Sequence, residues 1–130
     1  MAALSDYAEK LLLDFLMTTG TATRPTNWYV ALFTAAPNDA GGGTEVSAGG
    51  YTRKTVAFSA AASPGGTTSN SGEVSFTASG GNYGTVTHMG IFDASSSGNL
   101  LWHGALTASK AVADGDTLTF AVGNIDLTMA

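Results

Sequence analysis

The chain has 130 residues, no cysteine and a formal net charge of −5, with 12% charged and 44% apolar residues. That length fits one domain, 1–130, large enough to bury about two thirds of its unfolded surface, so folding requires neither a metal nor a disulfide. Five basic residues against ten acidic ones argue against a nucleic-acid partner, which needs clustered Lys and Arg, and the lack of cysteine excludes a disulfide scaffold, a thiol enzyme and a cysteine zinc site.

No apolar run approaches the ~20 residues of a membrane span. Leu11 to Met17 is apolar, but Glu9, Lys10 and Asp14 flank or break it. That is not a signal-peptide core, so the expectation is a protein made and kept in a cytoplasm, with no membrane partner. Ordinary soluble proteins carry ~25% charged residues. Here Ser, Thr, Gly and Ala take their place, which suits a surface that faces partners in a large assembly.

In chain order, the first element is a helix within residues 1–20, predicted from Asp6 to Met17. Asp6 is the expected cap, with Glu9 reaching back to it and Ser5 as the alternative. Tyr7, Leu11 and Phe15 fall at i, i+4 and i+8, and Leu12 and Leu16 widen the stripe. Gly20 is the expected stop, with Thr18 and Thr19 weakening the helix before it. The stripe either packs on the domain's own sheet, the favoured reading, or docks on a neighbouring subunit. In the second case Tyr7, Leu11 and Phe15 are the candidate partner contacts.

The β domain is expected over 26–130. Asn27 to Thr34 is apolar on both faces and predicts a central strand, one face of which the helix would cover. Tyr51 to Ser59 alternates, with Thr52, Lys54, Val56 and Phe58 expected on one side. Glu73 to Thr77 alternates through Val74 and Phe76. Thr85 to Asp93 and Leu100 to Thr107 predict a hairpin across the Ser95 to Asn99 link. Asp114-Gly115-Asp116 reads as a turn, Leu118 and Phe120 as a strand, and Ile125, Leu127 and Met129 as the last strand after a tight turn or bulge at Gly123-Asn124. The segments 40–50 and 60–72 read as flexible loops that could serve as arms. The expected fold is mainly β: an antiparallel sandwich, Ig-like or jelly-roll-like, of about seven strands with one N-terminal helix.

No catalytic constellation stands out. His88 and His103 lie on expected hairpin partners, and a metal would need a third ligand such as Asp93 from the same face. The bland reading is two interior or interface histidines. No Gly-x-Ser-x-Gly elbow, phosphate loop or calcium loop is present, so no enzyme, metal or cofactor is expected. Trp28, Tyr29, Tyr51, Tyr83 and Trp102 raise a sugar-binding reading. Tyr83, in Gly81-Asn82-Tyr83-Gly84, is the one aromatic expected on an exposed loop, and it joins the candidate partner contacts.

Several stretches together carry a family likeness. They are Leu4-Ser5-Asp6-Tyr7-Ala8-Glu9; Tyr29 to Thr34 followed by Thr44-Glu45-Val46 and Gly49-Gly50-Tyr51-Thr52-Arg53; and Gly84 to Asp93 leading to Gly98-Asn99-Leu100-Leu101 and Gly104-Ala105-Leu106. In order and spacing they resemble a family of small virion proteins of tailed bacteriophages, often labelled tail fibre or structural protein. The resemblance implies a virion component assembled in the bacterial host cytoplasm, with no catalytic or metal residues. The chain has none of the repeats, coiled coil or intertwined strands that give a fibre its length. The reading therefore favours an auxiliary capsid decoration or cement protein. A tail or tail-fibre component (knob or adaptor) is the alternative, and a sugar-binding host-recognition module is the third reading. Expected partners are the major capsid protein or tail proteins of the same virion, and further copies of the chain, with a trimer favoured.

Overall fold

The computed structural model describes residues 2–62 and 65–128. A short strand β1 (Ala2–Leu4) leads into helix α1 (Asp6–Met17). Strands follow as β2 (Tyr29–Ala35), β3 (Thr44–Glu45), β4 (Lys54–Thr55), β5 (Thr67–Ser69), β6 (Val74–Thr77), β7 (Gly84–Phe92), β8 (Leu100–Val112), β9 (Thr117–Phe120) and β10 (Asp126–Thr128). All pairings are antiparallel. One large sheet runs β1-β8-β7-β2-β3, with β4 also on β2, and two ribbons, β5-β10 and β6-β9, stand apart from it.

The ribbons close over one face of the large sheet, and the core lies between them. Val30, Leu32, Met89 and Ile91 face Val74, Phe76, Leu118, Phe120 and Leu127 there. Phe76 is fully buried, stacked on Tyr51 at 6.1 Å and edge-on to Phe120 at 6.3 Å. The fold is thus mainly β and sandwich-like with one N-terminal helix, as the pattern of short alternating strands implies.

As expected, β2 is central and buried on both faces, since Val30, Ala31, Leu32 and Phe33 are all buried. Its second face is covered by Phe92, which stacks on Phe33 at 6.2 Å, and not by α1. Gly90 leaves room for this layer. A Cβ there would lie 2.9 Å from Leu100 Cδ1 and 3.0 Å from the Phe33 ring.

The helix has its expected bounds but a different cap and stop. Ser5, not Asp6, is the N-cap: its Oγ accepts from the Ala8 amide at 3.2 Å and donates to the Leu100 carbonyl. Glu9 therefore sits beyond the capping-box position. At the other end the Thr18 hydroxyl donates to Asp14 O at 2.9 Å and accepts from the Gly20 amide at 3.1 Å, and the backbone turns extended already at Thr18. The favoured packing of the stripe on the domain's own sheet does not occur. Ala8 is the one buried residue of α1, while Phe15, Leu16 and Met17 are 67%, 67% and 76% exposed.

Ten strands replace the expected seven: β1, unanticipated before the helix, pairs with β8, and the two segments read as flexible arms are stitched into the fold as β3 and β5. Residues 40–50 contain β3 and the buried Val46, whose amide donates to Leu32 O at 3.0 Å. Gly49 is held at φ 67°, where a Cβ would stand 2.7 Å from Gly81 O. Only glycine tolerates that conformation without cost. Within 60–72, β5 pairs with β10. The single-phase alternation expected over 51–59 also fails: Tyr51 and Arg53 are half-buried, the exposed pair Lys54–Thr55 intervenes, and Val56 resumes the core. Met129, expected in the last strand, lies outside the described residues.

Asn70 ties the ribbon end together. It is buried, its Nδ2 donates to Gly72 O and Ala121 O at 2.8 and 3.0 Å, and its Oδ1 accepts from the Ile125 amide at 2.9 Å. An aspartate there would aim a carboxylate at two carbonyls. Asn70→Asp is expected to lower the unfolding free energy by about 3 kcal/mol in urea titration, and more than Asn70→Ala; equal midpoints for the two variants would contradict this.

Candidate functional site

Two features distinguish the molecule: a half-buried ionic cluster in the body and an apolar helix held at one end. The cluster is built on β3, β4 and the chain around them. Arg53 lies just before β4, with its side chain only 7% exposed. Its Nε and one terminal nitrogen bind the two oxygens of Glu45 at 2.8 and 2.9 Å. The other terminal nitrogen donates to the carbonyls of Ala94 and Ser97 at 3.0 and 2.7 Å. The guanidinium carbon stands 3.7 Å from the centroid of the Phe92 ring. The planar fork thus satisfies a carboxylate, a loop backbone and an aromatic face at once, which lysine could not do.

Tyr51 completes the cluster. Its hydroxyl donates to Glu45 Oε2 at 2.7 Å and accepts from the Leu32 amide at 3.0 Å. Burial, and then the bond to Glu45, raise the Tyr51 phenol well above its usual range. Burial alone would raise Glu45 too, but the bonds from Arg53 and Tyr51 outweigh it and hold the carboxyl below its ordinary value. For Arg53, burial opposes the charge and the Glu45 bonds more than restore it. Every strong polar partner of this cluster is internal, so it acts as a latch. It joins β2, β3 and the segment before β4 to the turn between β7 and β8. That turn is closed by Asp93, whose carboxylate accepts from the Asn99 amide and side chain at 2.7 and 3.0 Å.

The helix is anchored where the sheet meets this turn. Ser5 N donates to Leu101 O and Asp6 N to Asp39 O, both at 2.9 Å. Beyond Ala8 the stripe leaves the body. Leu11, Leu12 and Phe15 form a groove of about 200 Å³ with Ala22, Arg24 and Pro25 of the returning chain. Of the candidate partner contacts, Tyr7 and Phe15 are exposed and Leu11 is half-buried in this groove. Leu11 and Phe15 share the groove, whereas Tyr7 lines a separate cleft with Asp39 and Phe92.

Tyr83 does not join them. It is buried in the core, edge-on to Tyr51 at 5.7 Å, with its hydroxyl donating to Thr77 O at 3.1 Å. Gly49 packs against its ring, so the glycine-flanked loop is folded inward rather than offered to solvent. The sugar reading loses its exposed aromatic. Trp28, Phe58 and Trp102 do line a cleft of about 280 Å³. Its one hydroxyl, Thr68, already donates to Ser59 O, which leaves little to orient a sugar.

The two histidines are not directly paired. His88 stands opposite Ala105 and His103 opposite Gly90. His88 contacts the Thr87 hydroxyl and His103 the Asp39 carboxylate, at 2.8 and 2.7 Å. Among the described residues no group of three potential ligands could hold a metal. Asp116 serves its own turn, accepting from the Ala113 amide at 3.0 Å, and Asp114 ties that turn to the loop before β7, accepting from the Gly80 amide at 3.0 Å.

The sequence marks Glu45 and Arg53 only as parts of family-like stretches, and Tyr51 also as one of the aromatics of the sugar-binding reading, none of them as an ionic cluster. The signal was an acid and an arginine flanking a tyrosine in a chain poor in charge. Those stretches meet in space: Glu45, Tyr51 and Arg53 on one side, Phe92 and the 93–99 turn on the other, with Ser5 bonded to the following Leu100.

A family model, Podophage GP4 fiber I protein gp80, matches residues 3–128. No curated protein matches the chain.

Arg53→Ala strands Glu45 and is expected to cost about 3 kcal/mol of stability, read as a lower urea midpoint. Glu45 has a depressed value in the folded state, so its stabilisation is complete above the ordinary value of 4.5 and is lost as pH falls through the lower, folded-state value. Between neutral and strongly acidic pH, the urea midpoint should therefore fall further for the natural chain than for Glu45→Gln; parallel losses would contradict the assignment.

Proposed function

From the premise that the chain belongs to the Podophage GP4 fiber I protein gp80 family, and so is a phage fibre structural protein of the virion, we propose that it is a small, non-enzymatic knob or adaptor subunit of the tail fibre. The family supports this alternative better than capsid cement, the reading that the lack of fibre-forming repeats and coiled coil favours from sequence. The observation that carries the reading is α1, fixed to the body at Ser5 and Ala8 and apolar beyond it. A monomer gains little from such a helix, because an isolated helix of this length is marginal in water. In an assembly the same face becomes contact area and gives shape-matched attachment with few charges.

The body supplies rigidity and α1 supplies attachment. Binding to the assembled structure stabilises the subunit by mass action. The partners are other tail proteins of the virion and further copies of the chain. The groups with perturbed ionisation in the latch bond to one another and to backbone, which supports a structural role over a catalytic one.

Quantitative mass spectrometry of purified virions tests this directly. The expected copy number is a small multiple set by the symmetry of the tail, and a photo-crosslinker at position 15 should capture a tail protein or a second copy. A copy number matching the major capsid protein would return the chain to the capsid lattice, and absence from particles would overturn the virion role.

A further inference from the structure

The edge of β8 beyond β1 is left open. β1 pairs with β8 only from Trp102 to Gly104, and no other described strand lies on that edge. On the other side the register with β7 breaks. Val86 stands opposite Lys110 and His88 opposite Ala105, so Leu106 to Ser109 form a bulge against Thr87 alone. This bulge and the chain between β9 and β10 wall a groove of about 550 Å³. Its floor is apolar, from Met89, Leu118, Phe120 and Ile125, all buried. Its rim is polar: Thr107, Asn124 and Asp126 line it and are exposed. Among the described residues, none of these three side chains has a hydrogen bond or an ion pair within the chain.

We propose that this groove binds a neutral saccharide, with Asp126 and Asn124 bonding the hydroxyls of a hexose unit and the floor taking its C–H face. The rim groups match that chemistry. A carboxylate accepts from sugar hydroxyls, an amide both donates and accepts, and Thr107 adds a hydroxyl. Backbone groups of the bulge, left outside the ladder, supply further partners. An apolar floor with a few polar groups, in a volume of this size, is the make-up of a small-molecule site. Charge selects the class of ligand. Asp126 is the one charged residue lining the groove, in a chain of net charge −5, so phosphates and acidic sugars are repelled. The bulge selects against an extended peptide, which needs an evenly spaced edge to add as a strand. This site is separate from the cleft between Trp28 and Trp102, whose one hydroxyl is already engaged. It goes beyond attachment through α1 and does not rest on it.

Nuclear magnetic resonance of the isotope-labelled full chain, titrated with glucose, galactose, mannose and their neutral disaccharides, tests this. The amides of Thr107, Asn124 and Asp126 should shift together, with a dissociation constant on the order of 1 mM for the best sugar, while those of Trp28 and Trp102 stay in place. On a glycan array the chain should hold neutral hexose glycans and ignore those bearing uronate or sialate. Competition by the free hexose assigns the sugar unit itself; competition only by the oligosaccharide assigns a unit within a longer glycan. Asp126→Asn, a change of charge at an exposed side chain, should weaken binding at least about tenfold with an unchanged circular dichroism spectrum. No shift with any sugar, shifts centred elsewhere, a preference for acidic glycans, or binding indifferent to Asp126→Asn would overturn the proposal. An extended peptide that shifts the same amides where no sugar does would overturn the class of ligand.

Discussion

The body of this protein depends on the Arg53 guanidinium. Two distant parts of the chain meet at that group: the β3 segment through Glu45, and the end of β7 with its turn, through the Phe92 ring that covers the second face of β2 and through two carbonyls. Tyr51 carries the connection on to the amide of Leu32 in the central strand. A chain with so few charges has little else of comparable strength. Burying this one pair is tolerable because every nitrogen of the fork and both carboxylate oxygens find partners.

The consequence is a division of labour along the chain. The latch and the aromatic core make a body whose long turns are fixed, so they are unavailable as flexible arms. The freedom that remains lies in α1. Its first turn is bonded to the sheet through Ser5 and Asp6, and its apolar face extends past anything in the same chain that could bury it. Such a rigid body with one unsatisfied apolar prong is a sensible subunit for a symmetric particle. The assembly gains area from each copy. Low surface charge, a liability for a free monomer, costs little among neighbours.

Much of this was legible in the residues. The helix bounds, the doubly apolar central strand, the β7–β8 hairpin and the turns at Asp114–Asp116 and Gly123–Asn124 all follow from local periodicity and turn chemistry. What was not legible was decided by distant partners. Ser5 outcompetes Asp6 as cap because the Leu100 carbonyl lies behind it. Tyr83 reads as a loop residue by its glycines, yet Gly49 and Tyr51 fold over it. The short strands β3 and β5 have no periodicity long enough to detect and exist only because β2 and β10 pair with them. The latch itself spans 8 residues from Glu45 to Arg53 and 44 from Arg53 to Ser97, and no local pattern announces contacts of that range.

The most direct test of a fixed body carrying an uncommitted helix is residue-resolved hydrogen exchange of the dilute chain. The account predicts that the amides of Leu32 and its β2 and β7 neighbours exchange only through global unfolding, and that Arg53→Lys opens the 93–99 turn to faster exchange. It also predicts that α1 beyond its first turn exchanges orders of magnitude faster than the core until partners cover it. Protection of α1 equal to that of β2 in the isolated chain, or a 93–99 turn indifferent to Arg53→Lys, would contradict it.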